Sequence, residues 1–192
     1  MKKYLKYLII LLLVLAATAG GFFWTRNSLL KNPEVKSAAV SPTQTPTKPA
    51  PSYSRTIGGF MVTEREIVRE EGKPVVYFFG METCPHCLWE KPIAQKVFSQ
   101  FKDEIVYKER FDSEEDMDVF ESYKDVNPDY GVPLIIVGGK YVRVGAGESL
   151  GATEEESKKL EEEALTALVC KLTDSQPSSI CGPLEEEIKA IE

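Results

Sequence analysis

Histidine is almost absent from this chain, since His86 is the only one among 192 residues. There are four cysteines, of which only Cys84 and Cys87 have C-x-x-C spacing, because ten residues separate Cys170 from Cys181. A zinc ribbon would need a second C-x-x-C or a histidine pair, so that class is disfavoured. A c-type haem site is excluded, because position 88, directly after the second cysteine, is leucine.

Basic side chains are scarce after the N-terminal segment. The first 31 residues carry five Lys or Arg and no acid, whereas the remainder has 18 basic against 30 acidic residues. Binding to nucleic acid relies on cationic contacts with phosphates, so nucleic acid is not an expected partner. The acidic runs 154–156, 161–163 and 185–187 are predicted to be solvated helix faces. No internal repeat is present.

The tetrad Cys84-Pro85-His86-Cys87 is the most informative segment. The run 74–80 before it is continuously apolar, β-branched and aromatic, which predicts a buried strand, and a helix is predicted from about 84 to 101 with a kink at Pro92. A helix N-terminus favours a thiolate on Cys84. The first interpretation is therefore a reversible disulfide between Cys84 and Cys87. A metal site and a purely structural cysteine pair are the alternatives.

The rest of the domain alternates between strand and helix patterns. These patterns predict a strand at 104–111, a helix at 114–126, a hairpin within 131–145, a helix at 153–170 and a short helix at 184–191. The order strand, helix, strand, helix, hairpin, helix predicts an α/β fold with a mixed sheet and helices on both faces.

Residues from about 57 to 170 resemble a thioredoxin-fold domain, and the CPHC tetrad resembles that of the DsbA-type disulfide oxidases. Three features match: C-x-x-C at a strand-to-helix junction, Pro92 eight residues after Cys84, and Val132-Pro133 just before the hairpin. The resemblance implies that the Val132–Pro133 bond is cis, that it packs against the disulfide, and that client proteins bind beside it. It implies no metal and no cofactor.

The sequence departs from the family in two places. Family members usually carry a buried carboxylate six residues before the first cysteine, and here that residue is Phe78. Glu82 and Glu90 flank the motif, and both are predicted to be solvated because glutamate is seldom buried; the alternative is that one replaces the missing carboxylate. Only about 20 residues precede Pro133 after the middle strand, too few for the helical insertion of DsbA.

Residues 1–24 are predicted to be a signal anchor or signal peptide. Three lysines precede Tyr7–Trp24, an uncharged stretch of 18 residues that is about 27 Å long as a helix. Ala17-Thr18-Ala19 fits a cleavage site, but the apolar run continues to Trp24, which favours an uncleaved anchor. Residues 25–56 are a predicted Pro/Ser/Thr-rich linker, and residues 57–192 are the predicted domain. The domain is expected on the periplasmic or extracellular face, or to be secreted if the signal is cleaved.

Four thiols in an oxidising compartment are expected to form two disulfides. Cys170 and Cys181 close the polar segment 171–180, which is predicted to lack regular structure, and their bridge would tie the C-terminal helix to the domain. The alternative is a second redox pair that relays electrons to or from Cys84 and Cys87.

Together these features predict a membrane-tethered thiol-disulfide oxidoreductase that oxidises exported cysteine-containing proteins and is reset by a membrane redox partner. Cys84 is the expected nucleophile, Cys87 the resolving thiol, and His86 a residue that helps hold Cys84 as thiolate. Two alternatives remain: a reductase, for example in cytochrome c maturation, and a redox-inert module that binds extended peptides.

Overall fold

A computed structural model of the chain describes residues 52–192. The predicted signal or anchor helix at 1–24 and most of the predicted linker lie outside the described residues. Within residues 52–192, no helix is both long enough and apolar enough to span a membrane. The strands are β1 (Ser54–Arg55), β2 (Met61–Val62), β3 (Arg69–Glu70), β4 (Lys73–Gly80), β5 (Val106–Phe111), β6 (Leu134–Val137) and β7 (Tyr141–Val144), and the α-helices are α1 (Pro85–Ser99), α2 (Met117–Ser122), α3 (Glu154–Leu172), α4 (Ser178–Cys181) and α5 (Glu185–Ala190).

The central strand β4 is buried from Pro74 to Gly80, as its continuous apolar sequence predicts. It pairs in parallel with β5 and antiparallel with β6, which places Phe79 opposite both Arg110 and Leu134. The strands β6 and β7 form the predicted hairpin, and β2 and β1 extend the sheet beyond β7. The short strand β3 pairs with the start of β4. The sheet is therefore mixed, and the predicted element order is confirmed.

Helices cover both faces of the sheet. Side chains along β4 and β6 point alternately to the two faces, so each face has its own apolar core. Phe78 and Ile135 belong to the core that includes buried residues of α1, α3 and α5. Tyr77 and Ile136 belong to the other core, to which Phe120 of α2 contributes. Burial of each large apolar side chain contributes about 1.5–3 kcal/mol to folding. This packing fixes the end of β4, and with it the position of the CPHC tetrad.

Two predicted helix boundaries need correction. The helix predicted at 114–126 is the shorter α2, because Asp116 adopts a φ of 56° in the left-handed region, which is incompatible with a helix running through it. The segment 171–180 is not wholly irregular, since α4 begins at Ser178. The helix α1 contains Pro92, where a kink was predicted, and it continues past this residue to Ser99.

The folded domain begins before residue 57, where the predicted linker was expected to end. Ser54 pairs with Val62 through the β1–β2 ladder. The Tyr53 hydroxyl donates a hydrogen bond to Oδ2 of Asp125 at 2.5 Å. These contacts attach residues 53–55 to the sheet and to the segment after α2.

The predicted bridge between Cys170 and Cys181 is confirmed, with a Cα–Cα distance of 5.6 Å. It joins the last turn of α3 to the end of α4. Both cysteines are buried, since Cys170 is 0% and Cys181 is 1% exposed to solvent. An incoming thiolate therefore has no open approach to either sulfur, which favours a structural bridge over an electron relay.

Replacing Cys170 and Cys181 together by alanine is expected to lower the free energy of unfolding by about 3 kcal/mol, because the bridge closes a small ring in the unfolded chain. Urea unfolding of the two proteins measures this difference. Turnover per folded molecule should remain close to the original value. A large loss of turnover in a fully folded double variant would instead support the relay.

Candidate active site

Cys84 lies at the junction between the central strand β4 and the helix α1, as predicted. It is the N-cap residue of α1 and has extended backbone angles, with φ of −88° and ψ of 116°. Its Sγ accepts a hydrogen bond from the backbone N–H of Cys87 at 3.3 Å. This free N–H and the positive end of the helix dipole both favour negative charge on the Cys84 sulfur. The thiol is only partly buried, so another molecule can reach it.

Cys87 has the opposite environment. It is 0% exposed and faces the core from the first turn of α1. Burial, followed by the neighbouring Cys84 thiol, raises the pKa of Cys87 to about 12. At neutral pH the Cys87 sulfur is therefore protonated and inaccessible from outside, while Cys84 presents its sulfur at the surface. The two cysteines therefore differ in their exposure to solvent.

The Val132–Pro133 segment lies directly beside Cys84. Its peptide bond is cis, which confirms the prediction. The Val132 carbonyl oxygen is 3.8 Å from the Sγ of Cys84. This proximity follows from the antiparallel pairing of β4 with β6, because Leu134 lies opposite Phe79 near the end of β4. The end of one strand and the start of the next therefore bring the tetrad and the proline loop together.

Asn127 holds this loop in place and was not singled out from the sequence. It is 3% exposed. Its Oδ1 accepts the N–H of Gly131 at 2.7 Å, and its Nδ2 donates to the Gly131 carbonyl at 3.0 Å. This pair of bonds satisfies the amide and fixes the backbone just before Val132.

An apolar groove of about 320 Å³ adjoins the proline loop. Three of its lining side chains are large apolar residues that are substantially exposed. They are Met81, Met117 and Tyr130. Val132 also lines the groove, so a segment lying in it would pass close to Cys84.

His86 projects from the first turn of α1, between the two cysteines in sequence. Its Nδ1 lies 2.5 Å from Oε2 of Glu148. The Cys84 sulfur itself contacts the Cys87 N–H and the Val132 carbonyl. The imidazole is thus hydrogen-bonded to Glu148, a residue that sequence reasoning missed. Direct support of the Cys84 thiolate by His86 stays a prediction. Pro85 occupies the first helical position, where its missing N–H costs nothing.

Glu82 is exposed, as predicted, and pairs with Lys91 at 2.6 Å. For Glu90 the same prediction is wrong. Glu90 lies on α1 one turn after Cys87 and is 0% exposed. Its Oε2 accepts the N–H of Gly147 at 3.1 Å, whereas its Oε1 has no hydrogen-bond donor among residues 52–192.

Glu161 was also predicted to be solvated, within the acidic run 161–163, and it is 0% exposed. Its carboxylate accepts two parallel hydrogen bonds from Arg143, at 2.5 Å from Nη1 and 2.6 Å from Nη2. Arg143 Nη2 is also 3.2 Å from Oε2 of Glu90. The remaining Arg143 N–H groups donate to the carbonyls of Gly58 and Gly145. Every N–H of the guanidinium therefore has an acceptor.

Two carboxylates share one guanidinium in this buried cluster, so full ionisation would leave an uncompensated negative charge. Burial, followed by the negative charge of Glu161, raises the pKa of Glu90 to about 8. At neutral pH Glu90 therefore carries a proton and the cluster is neutral overall.

Helical periodicity could have located both buried glutamates. Glu90 falls on the same face of α1 as Cys87, Ala94 and Val97, all of them buried. Glu161 lies in the buried stripe of α3 that contains Ser157, Ala164, Leu165 and Leu168. The spacing places each glutamate inside an apolar face, which is stronger evidence of burial than residue type alone.

No protein-family model matches this chain, and neither does any curated protein. An accessible sulfur at a helix N-terminus, a buried second thiol and an adjacent backbone loop are suited to thiol-disulfide exchange.

Proposed function

We propose that this protein is an extracytoplasmic thiol-disulfide oxidoreductase of thioredoxin-like fold that oxidises cysteine pairs in exported proteins. The observation that carries the proposal is the inequality of the two thiols. Cys84 is partly exposed at the N-cap and accepts the Cys87 N–H, whereas Cys87 is fully buried. A redox-inert peptide binder would need neither feature.

The reaction begins with Cys84 and Cys87 joined in a disulfide. A client thiolate attacks the Cys84 sulfur and the S–S bond breaks, so that the Cys87 sulfur leaves and takes up a proton. A second client thiolate then attacks the client sulfur of the mixed disulfide and releases Cys84 as thiolate. The client has lost two electrons, the protein has gained them, and a membrane redox partner is expected to remove them.

Client binding is proposed at the proline loop and the groove beside it. The backbone of Val132, next to the Cys84 sulfur, can pair with an extended segment as in strand addition. Met81, Met117 and Tyr130 can receive apolar side chains of the same segment. This arrangement recognises an unfolded or extended chain through its backbone, which suits an enzyme with many clients.

The thioredoxin-like fold is supported by the element order and by the mixed sheet. The proposed location rests on the lysine-rich and apolar residues 1–24 and on the Cys170–Cys181 bridge, because disulfides are typical of exported proteins. Tethering through residues 1–24 would keep the domain close to its membrane redox partner.

The direction of electron flow is tested by the reduction potential of Cys84–Cys87, measured in glutathione buffers. Because the helix N-terminus stabilises the reduced form as a thiolate, we expect a value clearly more oxidising than the roughly −270 mV of thioredoxin. Replacing His86 by alanine should move the potential toward that value. A potential at or below thioredoxin's would reject the oxidase and favour the reductase.

A further inference from the structure

The connection between β7 and α3 is held against the domain at two adjacent residues. The N–H of Gly147 donates to the buried carboxyl of Glu90 at 3.1 Å. The carbonyl of Glu148 accepts the hydroxyl of Ser157 at 2.8 Å, and Ser157 is itself buried. The Glu161 carboxylate also packs against Gly147 so closely that a side chain there would clash with it. The backbone at Glu148 is therefore fixed.

From this fixed backbone the Glu148 side chain reaches the active-site helix. Its Oε2 is 2.5 Å from Nδ1 of His86, and the two side chains are 36% and 63% exposed. Glu82, two residues before Cys84, forms an ion pair with Lys91. Glu148 is thus the acid in contact with the tetrad, although it is 62 residues away in sequence.

This contact opposes the effect that His86 would have alone. A free imidazolium next to Cys84 stabilises the thiolate and makes the disulfide more oxidising. A carboxylate bonded to Nδ1 restrains the ring and offsets its positive charge. An exposed ion pair adds little to folding stability. A reduction potential is a sensitive readout even so, because a tenfold change in the equilibrium constant is about 30 mV.

We propose that Glu148 is a positioning residue for His86. By restraining the imidazole ring and offsetting its positive charge, the Glu148 carboxylate makes the Cys84–Cys87 disulfide less oxidising. The inference rests on the function proposed above for the two cysteines. It assigns the β7–α3 connection a role in setting the redox potential of a motif on another element.

The test compares the Glu148→Ala variant with the unaltered protein in glutathione buffers at one fixed pH. We expect the equilibrium constant to shift about tenfold toward reduced protein, or about 30 mV more oxidising. Alkylation of reduced Cys84 by iodoacetamide should be faster in the same variant. Glu148→Gln, which keeps a hydrogen-bonding group, should give a smaller shift.

Two controls separate positioning from a general charge effect. Glu82→Gln removes a nearby carboxylate that does not contact His86, and it should leave the potential unchanged. In a His86→Ala background, Glu148→Ala should have almost no effect, because its partner is gone. An unchanged potential in Glu148→Ala, or an equal shift with and without His86, would overturn the inference alone. Failure of the unaltered protein to exchange disulfides with glutathione would overturn the proposed function and the inference together.

Discussion

Replacing Cys87 by alanine is expected to turn the protein into a trap that accumulates mixed disulfides through Cys84. In this variant Cys84 must first be joined to glutathione by exchange with oxidised glutathione, and a client thiolate then attacks the Cys84 sulfur and displaces glutathione as a thiolate. Cys87, the nearest sulfur in the protein that could attack the resulting bond, is absent, so a client that lacks a second reactive thiol has no intramolecular route of release. Without glutathione, the variant should not oxidise a reduced two-cysteine peptide, because Cys84 alone cannot form the active-site disulfide. Non-reducing electrophoresis and mass spectrometry of the Cys84 adducts measure the trapping.

The matched control is Cys84→Ala, which leaves one thiol in the tetrad but places it in the core. Because Cys87 is 0% exposed and burial raises its pKa to about 12, this variant should capture no client. It should also be inactive with the two-cysteine peptide. Capture of the same partners by both variants to the same extent would contradict the roles assigned to the two sulfurs.

The parts of the fold that depend on local patterns were predictable from the sequence. The strand β4 could be predicted because a strand buried on both faces has a continuously apolar sequence. The hairpin could be predicted from the Gly138-Gly139 turn. The strands β1, β2 and β3 were missed, since each has only two residues and exists through pairing with distant partners. A two-residue strand has no periodicity that a sequence can display.

The candidate active site also has a part that the sequence predicts and a part that it does not. The tetrad and the proline loop are contiguous motifs, so the sequence identifies them, and the β4–β6 pairing brings them together. Glu148 and His86 meet only because the β7–α3 connection is anchored on Glu90 and Ser157. No pattern around Glu148 indicates a contact so distant in sequence.

The buried glutamates show why residue type alone misled. Glutamate is rarely buried without a partner, and here the partner is Arg143, which lies on a strand of the hairpin. The guanidinium satisfies Glu161 with two hydrogen bonds, and the proton on Glu90 removes the remaining charge. Tertiary packing thus makes possible a burial that helical spacing already suggested.

This cluster should make the folded protein less stable as the pH rises. The pKa of Glu90 is raised from 4.5 to about 8 by burial and then by Glu161, so between these values the folded state holds a proton that the unfolded state has lost. The stabilisation from this proton is complete below about pH 4.5 and disappears as the pH rises through about 8. The free energy of unfolding should therefore fall by a few kcal/mol across this window.

Glu90→Gln is the variant that isolates the effect, because an uncharged amide resembles the protonated carboxyl. It can still accept the Gly147 N–H and can donate to Glu161. Urea unfolding from about pH 5 to about pH 9 should show similar stabilities at the acid end and a variant more stable by a few kcal/mol at the alkaline end. Glu155→Gln, which removes an exposed acid from α3, should keep the original pH dependence.

Tyr107 is a further titratable group near Glu90, and it does not titrate in this range. Burial raises the pKa of its phenol, so the phenol stays neutral. Its hydroxyl donates to Glu109 at 3.0 Å. A difference between the two proteins that grows with pH therefore reports the Glu90 proton. Parallel stability curves for Glu90→Gln and the original chain would mean that Glu90 is ionised in the folded state, and that Arg143 balances both carboxylates.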